Sequence, residues 1–492
     1  RGIPRGSSTH DRGRAGVARE VASPAVWPSP MWVGLAACAA AVLLAPLVVV
    51  VPPLLLITGL AAVALIVAVY AHPPLAAYVL LATTPVVAGM DRGLVVPVLR
   101  PHEAIALLVA AGLLARGTTQ LLAGRLQRPS VRALDVAIVL MAFTSSVLPL
   151  LWMVARGNSI TTDDALYALT LWKFYGIYLI VRGSVRTEGQ VRRCLWLSMA
   201  AAGLVAVVGI LQSLQLLGVP ELLARFYAID GNVAEFREFR GGSTFNYPIA
   251  VADFLAFNLA IALGWLVRGG RHRSLLVAAA GLFLFGIVAA GQFSGAIALL
   301  VAVVAVGLLT GHLGRLGLAV LMAVPIAGVV LEPVIEGRLR GFSSAEGVPP
   351  SWISRLDNLQ TFFWPKLFSG FNFLLGVRPE ARIPLVEPGQ TYVWIESGHT
   401  WLLWIGGVPF FVAFFVFLWV SMRTTFRIAR ARNDAIGVAA IASFTSLAVV
   451  AVLMALDPHL TMRGSADLLF SLLALASVAG VAEAHETIGE GA

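Results

Sequence analysis

The chain has 492 residues, 59% of them hydrophobic and only 12% charged, with a formal net charge of +9. A soluble protein carries charge on roughly a quarter of its residues, so this composition, with a mean hydropathy of +0.86, excludes a soluble globular enzyme and points to an all-α polytopic membrane protein. Among the 35 basic residues only Lys173 and Lys366 are lysines, and the arginines are spread over the loops between apolar runs, which is a topology signal rather than a nucleic-acid patch.

Residues 1–30 are rich in Gly, Pro, Ser and Arg and read as a disordered basic tail. The apolar run that follows has no convincing small-residue cleavage site, so it reads as a retained first span. Fourteen candidate transmembrane helices follow one another: about 31–51, 54–70, 74–89, 102–115, 133–153, 164–181, 193–217, 247–267, 274–290, 295–310, 315–333, 399–421, 435–456 and 466–482. A span needs ~20 apolar residues to cross ~30 Å of hydrocarbon. One alternate set of loops holds most of the arginines, among them Arg116, Arg125, Arg186, Arg192, Arg271 and Arg427. The positive-inside bias then puts both termini in the cytoplasm and two long loops, 218–246 and 334–398, outside. The organisation expected is a tail (1–30), a bundle (31–333), a large extracytoplasmic loop (334–398), C-terminal spans (399–482) and a short cytoplasmic tail (483–492). Cys38 and Cys194 both lie outside the large loop, so no disulfide staples it.

Within that loop Trp352, Leu356, Leu359 and Phe363 recur at i, i+4, i+7 and i+11, one stripe of a helix. Pro349-Pro350 precedes the stripe, Ser351 is placed to cap it and Pro365 to end it. The spacing predicts a short interfacial helix with Arg355 at headgroup depth. The loop ends on Glu396-Ser-Gly-His399-Thr400, directly before an apolar run.

No Gly-Lys-Ser/Thr phosphate loop, Cys-x-x-Cys or His-Glu-x-x-His pattern occurs, so neither metal nor nucleotide cofactor is expected. The inner loops are short and simply basic, which argues against an ATP-driven pump and against an enzyme using cytoplasmic sugar nucleotides. Chemistry on the outer face needs a substrate already activated and carried by lipid.

Four segments resemble bacterial O-antigen ligases and polymerases. Arg237-Glu-Phe-Arg240-Gly-Gly-Ser-Thr-Phe-Asn-Tyr-Pro248 is similar to their "R…G-T-F-x-N-P" helix entry, and Ser354-Arg355 to the Ser-Arg of their large outer loop. Phe368 to Gly376 is similar to their "P-x-x-G-x-G" turn, and His399 to Pro409 to their "H-N-x-x-L…G-x-x-G" junction. The resemblance covers about residues 237–421. It implies a GT-C-like fold in the bacterial plasma membrane and an inverting, metal-independent glycosyl transfer from an undecaprenyl-pyrophosphate-linked glycan to a saccharide or glycolipid acceptor. Carried over, Arg355 would bind pyrophosphate and His399 would meet the acceptor hydroxyl or the leaving group. Two departures stand out. Thr400 follows the histidine where the family usually has Asn. The family's membrane "T-G-S-R-G" is here Gly291-Gln-Phe-Ser294-Gly295, without its Arg, and Arg240, Arg338 or Arg340 is the candidate replacement.

The residues support such chemistry on their own terms. A pyrophosphate leaving group gains negative charge as its bond to sugar breaks, and guanidinium forks match phosphate oxygens bidentately while staying charged. Histidine titrates near neutrality and can take a proton from a hydroxyl. Glu396, Lys173 and Asp253 complete the candidate substrate-binding set, the last two because ionisable residues within apolar spans are functional by default. Each candidate also has a plain role. Arg355 would meet lipid headgroups. His399 would start a helix capped by Ser397, and Glu396 would favour that helix's dipole. Arg240 would pair with Glu238 or Asp230. Arg338 and Arg340 would mark a solvated loop. The second reading of the whole chain is a transporter or flippase of a lipid-linked saccharide or small anion, against which stands the lack of an internal repeat. A third is a non-catalytic scaffold. The catalytic reading expects one pocket under the large loop, lined by Arg355, His399 and Arg240.

Overall fold

The computed structural model describes residues 53–93, 99–125, 130–228, 234–340, 350–387 and 390–478. The chain divides into two units, Arg1–Val63 and Ala64–Ala492. Of the first, the described part is the opening of an apolar helix, Pro53–Ala71. The expected span at 31–51, Cys38, Asp230 and both tails lie outside the described residues.

The second unit is a helical bundle, and the protein is an all-α membrane-spanning chain with one small hairpin among the described residues. Eight described helices are long and apolar enough to cross a membrane: Pro101–Leu122, Ala133–Ala155, Glu188–Ser213, Pro248–Val267, Phe293–Thr310, Leu313–Val330, Gly398–Ala431 and Ala435–Leu453. Shorter apolar helices include Pro74–Val87, Arg273–Ala289 and Ser465–Ala476. Local chemistry sets their starts. Proline opens the helices at Pro74, Pro101 and Pro248, where its missing N–H is not needed. Thr161, Thr187, Ser397 and Asp434 accept backbone N–H groups as N-caps.

Pro248–Val267 is the central helix. It packs against Arg273–Ala289, Ala435–Leu453, Phe293–Thr310 and Glu188–Ser213, and its alanines, from Ala250 to Ala262, are buried. Between membrane helices the packing force is van der Waals contact, and small side chains let backbones approach. Gly286 shows how closely: a Cβ there would lie 2.6 Å from the Leu255 side chain and 3.0 Å from Ala206.

Two helices break where hydropathy reads through. The expected span at 164–181 divides at Leu169 into Thr162–Ala168 and Thr170–Ser184. Lys173 therefore sits in the first turn of the second piece, at a helix end rather than mid-span. Gly398–Ala431 is bent at Gly407, whose φ of 63° is open to glycine at little cost. A Cβ at Gly407 would strike the backbone of Leu374 and Leu375. Gly376, at φ 91°, approaches the carbonyl of Ile405 just as closely. The segment Asn372–Leu375 is thereby pressed onto the break, and the Val377 N–H donates to the Trp404 carbonyl at 2.6 Å.

The helix expected at the membrane interface differs from the reading of its ends. It starts at Pro350, so Ser351 lies inside its first turn and is not a cap. It passes through a π-turn, Leu359–Phe363, into a further helix, Trp364–Phe368. Pro365 does not end it, because a proline in the first turn of a new helical segment costs no hydrogen bond. The stripe is also split: Trp352 and Leu356 are exposed, while Leu359 and Phe363 are buried. After the helix comes an antiparallel hairpin, Arg382–Glu387 with Gln390–Trp394, which the all-α reading did not include.

Candidate functional site

The site gathers at the bundle end where Pro248–Val267, Phe293–Thr310 and Gly398–Ala431 begin. Arg355, on the helix Pro350–Asn358, points between two carboxylates. Its Nη1 donates to Asp457 Oδ2 at 3.1 Å, and its Nε lies 3.6 Å from Glu396 Oε1. Trp352, one turn earlier, sets its ring edge-on to Phe293, with centroids 6.0 Å apart. Phe293 in turn carries the guanidinium of Arg338 at 5.9 Å.

Arg338 and Arg240 meet at Gly291. The Nε of Arg338 donates to the Gly291 carbonyl, and the Arg240 stem lies 3.7 Å from where a Gly291 Cβ would stand. Arg338 is on a helix, Glu332–Leu339, and is half-buried, not on a solvated loop. Its pKa is lowered to about 10, first by burial and then by the like charges of Arg240 and Arg355, with Glu238 opposing. Arg338 thus feels the positive charge of both other guanidinium groups. Arg240 takes Glu238 as its partner at 3.5 Å. Arg340 does not join this group among the described contacts; it is exposed and paired with Glu336 at 2.7 Å.

His399 lies three residues beyond Glu396, in the first turn of Gly398–Ala431. Ser397 Oγ accepts the Thr400 N–H at 3.3 Å, as expected of a cap. The imidazole is half-buried and faces Phe411, with centroids 6.2 Å apart. Among the described residues no hydrogen bond holds the ring. The neighbouring Thr400 is occupied: its hydroxyl accepts the Trp364 indole N–H at 3.3 Å. This contact ties the segment Trp364–Phe368 to the helix start that carries His399.

Sequence reasoning missed the residues that position Arg355. Asp457 and His459 stand in the short connection after Ala435–Leu453. The His459 Nδ1 is 2.6 Å from Asp253 Oδ2, both side chains fully buried, and the His459 N–H donates to the Asp457 carbonyl at 2.7 Å. Asp253, on the central helix, therefore acts through His459 on the turn that presents Asp457 to Arg355. Gly398 makes room for that turn, since a Cβ there would lie 2.5 Å from the Met454 carbonyl oxygen and 2.9 Å from that of Asp457. The available signal was Asp457-Pro-His459, three polar or rigid residues flanked by apolar ones.

Electrostatics at the junction are finely balanced. Glu396 is raised above its ordinary range, first by burial and also by Asp457, while Arg355 pulls it down. Tyr247 is raised by burial, Asp457 and Glu396 against the pull of Arg355 and Arg463.

Lys173 belongs to another group at the same end. It lies 3.7 Å from Glu103 and over the Phe174 ring at 4.5 Å. Arg100 pairs with Glu103 at 3.8 Å, and Arg463 with Asp91 at 3.5 Å. His102 and Asp467 are buried here, with both nitrogens of His102 and one oxygen of Asp467 unpartnered. A third group docks the large loop. Arg378 grips Asp164 with two bonds of 2.9 and 2.6 Å. Arg382 joins Glu380 at 2.6 Å and Asp163, and lies over the Tyr392 ring at 4.0 Å.

A sizeable cavity lies elsewhere than under the loop. A cavity of about 810 Å³ opens at the opposite, arginine-rich end, and neither Arg355, His399 nor Arg240 lines it. Among the described residues no cluster of His, Cys, Asp and Glu has the grouping of a metal site. No protein-family model, curated protein or solved structure matches this chain.

Proposed function

We propose that this protein is a membrane glycosyltransferase of the O-antigen ligase or polymerase type. It would move a glycan from an undecaprenyl-pyrophosphate-linked donor to a saccharide or glycolipid acceptor at the outer face of the bacterial plasma membrane. In this reading the chain has about fourteen spans in a GT-C-like arrangement, both termini are cytoplasmic, and the large loop is extracytoplasmic. The observation that carries it is Arg355 set between Asp457 and Glu396, the latter three residues before His399, with Arg338 and Arg240 meeting at Gly291. Planar guanidinium forks suit pyrophosphate, which would compete with the carboxylates that Arg240 and Arg355 now face. Two of the three candidate replacements for the absent motif arginine stand at Gly291, where that motif aligns.

In the proposed reaction the acceptor hydroxyl attacks the anomeric carbon as the bond to pyrophosphate breaks. The imidazole of His399 takes the hydroxyl proton, and the arginines hold the charge that develops on the leaving phosphate. Arg355 and His399 are the catalytic residues. Arg240 and Arg338 bind the donor, Glu396 tunes Arg355, and Asp253 positions. Purified protein given a polyprenyl-pyrophosphate glycan and acceptor should form the transferred product without metal or nucleotide. An unchanged donor, with labelled lipid-linked glycan appearing on the other side of proteoliposomes, would establish the transporter instead. Lys173 and Glu103, grouped with the buried His102 and Asp467, favour that second reading, because ionisable residues gathered inside a membrane bundle line substrate paths.

A further inference from the structure

At the arginine-rich end of the bundle, the cavity of about 810 Å³ lies between Pro101–Leu122 and Thr170–Ser184. Arg116, Arg125 and Arg186 line it, and no carboxylate does among the described residues. Arg116 is held in place: one Nη donates to the carbonyls of Tyr70 at 2.8 Å and Ala71 at 3.4 Å. That bond uses one nitrogen of a five-donor fork. Three like charges around one hollow call for an anion.

The other wall is apolar and includes Leu114 and Leu179. Leu107, Leu114 and Leu121 recur every seven residues on the Pro101–Leu122 helix and are 58%, 70% and 61% exposed. On a membrane helix such a stripe faces hydrocarbon. Leu114 belongs both to that stripe and to the cavity, so the hollow opens toward acyl chains as well as toward arginines. A free phosphate ion has no use for the apolar wall; a phospholipid uses both.

We propose that this cavity binds an anionic phospholipid, its phosphate held by Arg125 and Arg186 with Arg116, and an acyl chain laid along Leu114 and Leu179. Basic pockets between membrane helices hold anionic headgroups in this way. The site is at the end of the bundle away from Arg355 and does not depend on glycosyl transfer.

The test uses the full chain purified in a neutral detergent and titrated with phosphatidylglycerol, phosphatidylcholine or inorganic phosphate. Thermal unfolding reads stabilisation, and native mass spectrometry reads retained lipid. Phosphatidylglycerol should raise the unfolding midpoint and stay bound, while the other two do neither. Arg125→Gln with Arg186→Gln should weaken phosphatidylglycerol binding about 30-fold, from ~1 kcal/mol per basic residue. Both side chains are exposed, and the single Arg125→Gln variant decides the question should the pair lower basal stability. Equal stabilisation by phosphatidylcholine or by inorganic phosphate would overturn the proposal. So would phosphatidylglycerol binding that the arginine variants leave unchanged.

Discussion

Replacing Arg355 separates what its guanidinium does for the fold from what it would do for a substrate. The side chain is 25% exposed, and its partner Asp457, at 3.1 Å, only 5%. Removing one partner of a buried pair costs ~3–5 kcal/mol, because the other charge is left in low dielectric. A quarter-open cation is screened by water, which roughly halves the figure, so Arg355→Ala should cost about 2 kcal/mol. Adding Asp457→Asn removes the stranded carboxylate and should restore most of that loss. Glycosyl transfer from a pyrophosphate-linked donor should stay lost in both variants. Thermal unfolding and transfer are measured on the same detergent preparations. If the double variant regains transfer together with stability, Arg355 is a strut and not a phosphate ligand. If Arg355→Ala is as stable as the parent, the account of the ion pair is wrong.

His399→Gln should cut transfer by ~10²–10⁴-fold, the usual worth of a general base, with the unfolding midpoint unchanged; full activity would remove its assigned role. Glu396 has a raised pKa in the fold. It therefore favours folding at pH values below the ordinary carboxylate range, and that contribution fades as pH rises through the raised value. Glu396→Gln should gain stability relative to the parent as pH rises above the ordinary carboxylate range, and a parallel pair of pH–stability curves would contradict this. Asp164 is opposite in sign: burial raises it, but the hydrogen bonds from Arg378 and Thr161 outweigh burial and leave it lowered. Its contribution is present above the ordinary carboxylate range and is lost as pH falls through the lowered value. Asp164→Asn should cost ~2–3 kcal/mol at neutral pH, and limited proteolysis should show the hairpin at 382–394 cut sooner. Gly398→Ala should lower both stability and transfer, because its Cβ meets the Met454 carbonyl at 2.5 Å; wild-type transfer in this variant would detach His399 from that turn.

Hydropathy pointed to the apolar helices among the described residues because lipid exposure and burial both demand apolar side chains, and a run of them is visible in one dimension. The Ser397 cap was readable for the same reason, since capping depends on near neighbours. The breaks were not. Gly407 and Leu169 interrupt runs that are apolar on both sides; at Gly407 the approach of Leu374 and the missing N–H of Pro409 together explain the turn. The hairpin had a signal that went unread: Arg382-Ile-Pro-Leu-Val-Glu and Gln390-Thr-Tyr-Val-Trp are joined by Pro388-Gly389, a turn dipeptide between β-prone runs. Arg355 and His399 were found because they border the longest polar interval. Asp457 and His459 were passed over because their connection is short, yet they come from a distant part of the chain to the same spot. Ion-pair partners separated by 102 residues leave no local pattern.

The site balances its charges without a ligand. Arg240, Arg338 and Arg355 face Glu238, Glu396 and Asp457, so the resting centre is close to neutral and the arginines are already partly engaged. A phosphate entering it must compete with carboxylates rather than fill a bare cationic hollow. Asp457 is the harder rival, buried and fixed through the Asp253–His459 pair. Glu396 is the easier one: it is more open, 3.6 Å from Arg355, and biased toward protonation by its burial and by Asp457. An incoming anion would push that bias further, because a third negative charge raises a carboxyl's pKa again. Protonation of Glu396 would then free the Nε edge of Arg355 while Asp457 keeps the Nη1 edge aligned. The same guanidinium would remain anchored on one side and become available on the other, so the residue that steadies the loop need not move to hold a phosphate.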